Sequence, residues 1–205
     1  TATSLQALGT SGNLSVEQAV SYLKGDAGLE VDRNPAGRLR YRSRRLGDIV
    51  NATPVVSAPT DDYGYGNLPA PYGADYKTYL TTKKSSSDPN SHRPMVYAGA
   101  NDGMLHGFDG RAGTGGGVER LGFIPQSVLG HMGNLLFPYD PAASGDQKFQ
   151  HRYYVDGPLV VSDAYYGSSW KTALVGSTGA GAKGVFALNV TGVARGGSFA
   201  AADRL

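Results

Sequence analysis

The sequence predicts a mainly β fold with one short N-terminal helix and long loops, and three observations carry that prediction. There are 30 glycines, 11 prolines and 13 tyrosines in 205 residues, a balance of turns and aromatic strand formers. Met95–Asp109 reads as two alternating strands around Asp102-Gly103, a dipeptide suited to a type I′ hairpin turn. The pattern then recurs. Tyr154–Ser162 resembles Ile49–Ser57, and Lys171–Ser177 with Gly184–Asn189 repeats the hairpin. The repeated unit is one buried strand, a hairpin and a fourth strand. Such units, recurring at roughly 40–50 residues, read as propeller blades. Only two fit, so the chain reads as an incomplete β-propeller.

In chain order, residues 1–14 are small, polar and expected to be loose. Ser15-Val-Glu-Gln18 is a capping box that opens a helix over Val16–Lys24. Val16, Ala19, Val20 and Leu23 form its apolar face, and Gly25 suits its stop. A turn-rich linker follows to Gly37. This divides the chain into an N-terminal helix and linker (1–37) and blades (38–205). Arg38, Arg40, Arg42 and Arg44 alternate with Leu39, Tyr41 and Ser43, which predicts an edge strand with one solvated basic face. Asp48–Ser57 reads as a short buried strand. Residues 58–93 read as a long polar loop presenting tyrosines, among them Tyr63, Tyr65 and Tyr72. In the hairpin, Tyr97 is expected opposite Phe108 and Gly99 opposite His106. Val118–Pro125 is a further strand.

Formal net charge is +2, and removing Arg38, Arg40, Arg42, Arg44 and Arg45 leaves the rest net acidic. The basicity is one local patch, not a nucleic-acid footprint. The absence of cysteine excludes disulfides and Cys-based zinc sites. No stretch approaches the ~20 apolar residues of a membrane helix. The missing initiator Met suggests a mature or excised piece.

Candidate chemistry is sparse. Gly179-Ala-Gly-Ala-Lys-Gly184 matches a dinucleotide-binding fingerprint. It is followed by the strand-like Val185–Val190 instead of a helix, so a Gly-rich hairpin turn is the better account. The four histidines lack metal-ligand spacing, and His106 reads as a packed strand residue. Asp48, Asp109, Asp156 and Asp163 sit at strand ends, where they are expected to bind loop amides. No catalytic triad or carboxylate pair follows from spacing, so no catalytic, cofactor or metal residue is assigned. Lys24-Gly25-Asp26 resembles the integrin-read Arg-Gly-Asp tripeptide, with lysine in place of the arginine. Asn13 and Asn51 begin glycosylation sequons, and Asn51 is expected to be buried.

VEQAVSYLKGD (16–26), RSRRLGDIVNATP (42–54), RPMVYAGANDGMLHGFD (93–109), HRYYVDGPLVVSDAYY (151–166) and TALVGSTGAGAKGVFALNVT (172–191) together resemble the front half of the C-terminal propeller of the PilY/PilC type IV pilus adhesin family. The resemblance implies a modified, quinoprotein-like propeller at the pilus tip or outer membrane of a Gram-negative bacterium. It implies a non-enzymatic role in pilus assembly, in opposing retraction and in surface attachment. Minor pilins, other tip components or a host surface receptor are the implied partners. Family members can carry a calcium loop of D-x-D-x-N-x-D type. No such segment occurs here, so calcium is carried over to no residue. Two other readings stand beside this one: part of a quinone-dependent dehydrogenase propeller, and a polyanion-binding module led by Arg40, Arg42 and Arg44.

Overall fold

Residues 14–35, 37–136 and 149–205 are described by the computed structural model. The expected loose start at 1–13 and the Asn13 sequon lie outside them. Helix α1, Val16–Leu23, carries the complete capping box: Ser15 Oγ accepts from Gln18 N–H and Gln18 Oε1 from Ser15 N–H. It ends in a Schellman motif, with Gly25 N–H donating to Tyr22 O and Asp26 N–H to Ser21 O. Gly25 has φ +108°, which a side chain would resist. The buried face differs from the expected one. Ala19 and Tyr22 turn inward, while Val16 and Val20 stay exposed, because the helix packs on Leu39 and Leu136.

The first sheet has the order β1-β2-β3-β4, all antiparallel: β1 Val55–Ser57, β2 Met95–Gly99, β3 Leu105–Asp109 and β4 Glu119–Phe123. The second has β5 Leu159–Tyr166, β6 Ser169–Ser177 and β7 Val185–Asn189 in that order. The expected second blade thus forms without a fourth strand among the described residues. The short helix α3, Thr191–Ala194, follows β7, and Arg204 makes a single bridge to Leu188. One apolar cluster joins the sheets. Met95, Tyr97, Leu105 and Leu121 from the first meet Leu159, Leu174 and Leu188 from the second. The far face of the second sheet leaves Val160, Val175 and Val185 exposed.

The central hairpin exists, but its register is shifted by one residue. Tyr97 faces Gly107, Val96 faces Phe108 and Ala98 faces His106. The loop holds three residues, Asn101-Asp102-Gly103, closed by Ala100 N–H donating to Met104 O. Of these, only Gly103 has positive φ (+95°), so a type I′ turn at Asp102 is excluded. Two consecutive positive φ values occur instead at Gly167 (+55°) and Ser168 (+63°), the tight turn between β5 and β6.

Three further expectations are corrected. The arginine segment forms no strand; Leu39 alone bridges, in parallel, to Glu30. The strand expected over Asp48–Ser57 shrinks to β1, with Ile49 and Val50 exposed. Residues 58–93 are not a loop, because helix α2 runs from Tyr72 to Lys84. Its inward stripe is Tyr76, Tyr79, Leu80 and Lys83, at helical spacing but built from tyrosine and lysine.

Candidate functional site

The Leu46–Asn51 segment lies between the two sheets and is held from both sides. Gly47 N–H donates to Asp102 Oδ2 at 2.8 Å. A Cβ at Gly47 would stand 2.4 Å from Asp102 N, so only glycine permits this approach. Asp48 O accepts from Asn101 N–H at 3.0 Å, and its carboxylate accepts from Asn101 Nδ2 (3.2 Å) and His151 Nε2 (2.8 Å). Burial raises the Asp48 carboxyl, but the bonds from His151 and Asn101 outweigh it and hold its pKa below the ordinary value. Asn101 Oδ1 accepts from Tyr154 N–H. At the far end Asn51 donates from its backbone (3.0 Å) and its Nδ2 (2.6 Å) to Asp156. Asn51 is exposed, contrary to expectation, with its amide held by that carboxylate. The segment is thus a strap that fixes the hairpin loop 101–103 against the entry of the second sheet.

His106 sits behind this loop, on β3. Its Nδ1 lies 2.7 Å from Glu119 Oε1 and its Nε2 3.0 Å from Asp102 Oδ2. Burial lowers its pKa, but bonds to the two carboxylates outweigh that and raise it. A groove of about 730 Å³ runs past this group, between α1 and the outer face of β3 and β4.

A smaller cavity of about 250 Å³ opens beside the strap. Arg40, Arg42 and Arg44 all line it, but not as one solvated face. Arg42 turns inward. Its Nε meets Glu30 Oε1 at 2.8 Å, its Nη groups donate to Tyr22 O and Asp26 O, and its guanidinium lies 3.6 Å over the Tyr22 ring. Arg40 lies 4.0 Å over Phe149, with Nε donating to Leu135 O. Arg44 is exposed. The Glu30–Arg42 pair spans the expected boundary at residue 37.

The other candidates also have structural partners. Lys24, Gly25 and Asp26 form the helix stop, and Asp26 Oδ1 accepts from Gly28 N–H. Tyr65 is not a free contact residue, since it stacks on Trp170 at 5.1 Å. Tyr63 is half-buried, and its N–H donates to the Tyr76 hydroxyl oxygen. Tyr72 is the exposed one of the three, edge-on to Tyr165. Among the strand-end aspartates, Asp156 binds a loop amide as expected. Asp109 binds Arg111 N–H and side chain, which holds its carboxyl down at about 2, with Arg93 nearby. Asp163 departs from expectation. It accepts from Lys83 Nζ (2.9 Å), Tyr76 and Thr172, fully buried. Lys83–Asp163 and His106 between two acids are groupings that sequence spacing missed, because their members come from different elements. Among the described residues no group of three or more histidines and carboxylates could hold a metal ion.

A family model described as the PilY1 beta-propeller domain matches residues 46–205. A type IV pilus biogenesis factor PilY1 homolog of Xylella fastidiosa (strain Temecula1 / ATCC 700964) is 37% identical over 182 residues, 87% of this chain and 11% of that protein. Type IV pilus biogenesis factor PilY1 of Pseudomonas aeruginosa (strain PAK) is 38% identical over 175 residues, 85% of this chain and 13% of that protein. The crystal structure of the Pseudomonas aeruginosa PilY1 C-terminal domain is 40% identical, covers 57% of this chain and 18% of that one, and superposes with a TM-score of 0.37. The chain therefore spans only a small part of its curated relatives. The strap, the hairpin and both sheets all lie within the matched residues, and the chain belongs to the PilY1 β-propeller family.

Proposed function

We propose that this chain is a scaffold portion of a type IV pilus biogenesis factor, acting at the cell surface through contact with pilus components. The observation that carries the reading is the family match across 46–205. The geometry supports it. The strand-end carboxylates all have structural partners: Asp48, Asp156 and Asp163 each hold one element to another, and Asp109 closes on Arg111. In this reading the chain is not an enzyme. The protein sits at the pilus tip or outer membrane, touches minor pilins and opposes retraction, and its loops reach a surface receptor.

The test is a chromosomal deletion of the gene in the native host, with surface pili counted in cells that have or lack the retraction motor. Pili should vanish in the first background and return in the second. Normal pilus numbers and attachment in the deletion strain would sink the proposal. Excising residues 58–93 is a poor probe of contact, because it removes the buried Tyr76, Tyr79 and Lys83. Tyr72→Ser, at an exposed position, is the better one.

A further inference from the structure

We propose that the cavity beside the strap binds a compact tetrahedral dianion of the phosphate class, free or as a phosphate ester. Five arginines line its roughly 250 Å³, Arg40, Arg42, Arg44, Arg45 and Arg152, against two acidic residues, Asp48 and Asp102. Both carboxylates already accept hydrogen bonds from protein groups. Asp48 accepts from His151 and Asn101, and Asp102 from Gly47 N–H and His106. Arg42 has its own partner in Glu30, outside the cavity. Arg44, Arg45 and Arg152 form no ion pair among the described residues. With Arg42 set against Glu30, four arginines face two carboxylates, an excess of two, at one concave place whose walls include Leu135 and Phe149. Arg44, Arg45 and Arg152 are exposed, so their mutual repulsion is screened by solvent and salt, and a bound counter-anion relieves what remains.

The charge excess favours a dianion over a single carboxylate. Guanidinium forks match the paired oxygens of a phosphate, and several can share one tetrahedral group. The segment that carries Arg44 and Arg45 is held at both ends. Arg40 and Arg42 are pinned at one end of the segment and Gly47 at the other, so Arg44 and Arg45 hang from fixed points. The volume suits a phosphate or a small sugar phosphate. This goes beyond the pilus reading and does not depend on it.

The test is calorimetric titration of the full-length protein with inorganic phosphate and, separately, with glucose 6-phosphate, in low-salt buffer free of other polyvalent anions. Saturable binding is expected, weakening as salt is added. Arg44→Gln, Arg45→Gln and Arg152→Gln should each weaken it about tenfold. Arg38→Gln, an exposed arginine outside the cavity, should leave it unchanged. Thermal midpoints without anion should not fall below wild type in any of the four variants, which separates lost binding from lost fold. Tighter binding of the sugar phosphate identifies an ester as the ligand, and equal affinity identifies the free anion. Absence of saturable binding by either, equal binding in every variant, or retention on heparin alone would each overturn the proposal.

Discussion

His92 is buried, and neither ring nitrogen has a hydrogen-bond partner among the described residues. Burial pushes its pKa down, and the nearby Arg195 and Lys83 charges push it further, from 6.5 to about 3. The unfolded chain therefore takes up a proton that the folded one refuses, and stability falls as pH drops from about 6.5 towards 3. His106 has the opposite sign. Its folded pKa is raised, so its contribution is complete below 6.5 and is lost as pH rises through the folded value. Urea denaturation across this range should show His92→Phe flattening the acid-side loss, by up to ~1.4 kcal/mol per pH unit. His106→Gln should leave the acid side intact and remove the decline that sets in as pH rises past about 6.5; an unchanged decline would refute this. At Gly47 the close approach of Asp102 N predicts that Gly47→Ala costs about 1–3 kcal/mol, read in the same assay.

Helix α2 shows why one element was illegible in the sequence. Its inward stripe mixes Tyr76, Tyr79 and Leu80 with Lys83, and aliphatic periodicity is nearly absent. What makes it a helix is what it meets: Trp170 against Tyr76 at 4.6 Å, and Asp163 against Lys83. Lys83→Ala strands a fully buried carboxylate and should destabilise by about 3–5 kcal/mol. The double variant Lys83→Met with Asp163→Asn should lose less than the sum of its singles; strict additivity in chemical denaturation would show that the pair does not act as a unit. By contrast α1 was legible down to its cap and stop, because both depend on residues within a few positions. The central hairpin falls between the two. Its strands followed from alternation, whereas its register turned on whether the loop holds two residues or three, and a one-residue slip exchanges the faces of one strand.

Across the whole molecule the two sheets share one apolar cluster, so they should not unfold separately. Leu174, fully buried within it, contacts that cluster from the middle of β6. Leu174→Ala should cost about 2–5 kcal/mol. Trp170 is the single tryptophan and reports on the α2–β6 junction, while far-UV circular dichroism reports on both sheets. The two signals should lose amplitude at one denaturant midpoint, and separated midpoints would show that the sheets are independent. The candidate site was legible only in part. LGDIVN was visible as a motif and the arginines as a patch. Their division into inward Arg42, stacked Arg40 and unpaired Arg44 was not. The sequence by itself determined what near neighbours control: the capping box, the helix stop, the strand alternation and the repeat that made the fold a piece of a propeller. Only the tertiary structure decided register, the helix at 72–84 and the partner of each charge. Asp48 meets His151 and Lys83 meets Asp163 across 103 and 80 positions of chain. No local dihedral preference or spacing encodes such a pairing, because it exists only once the two sheets have closed on a common core.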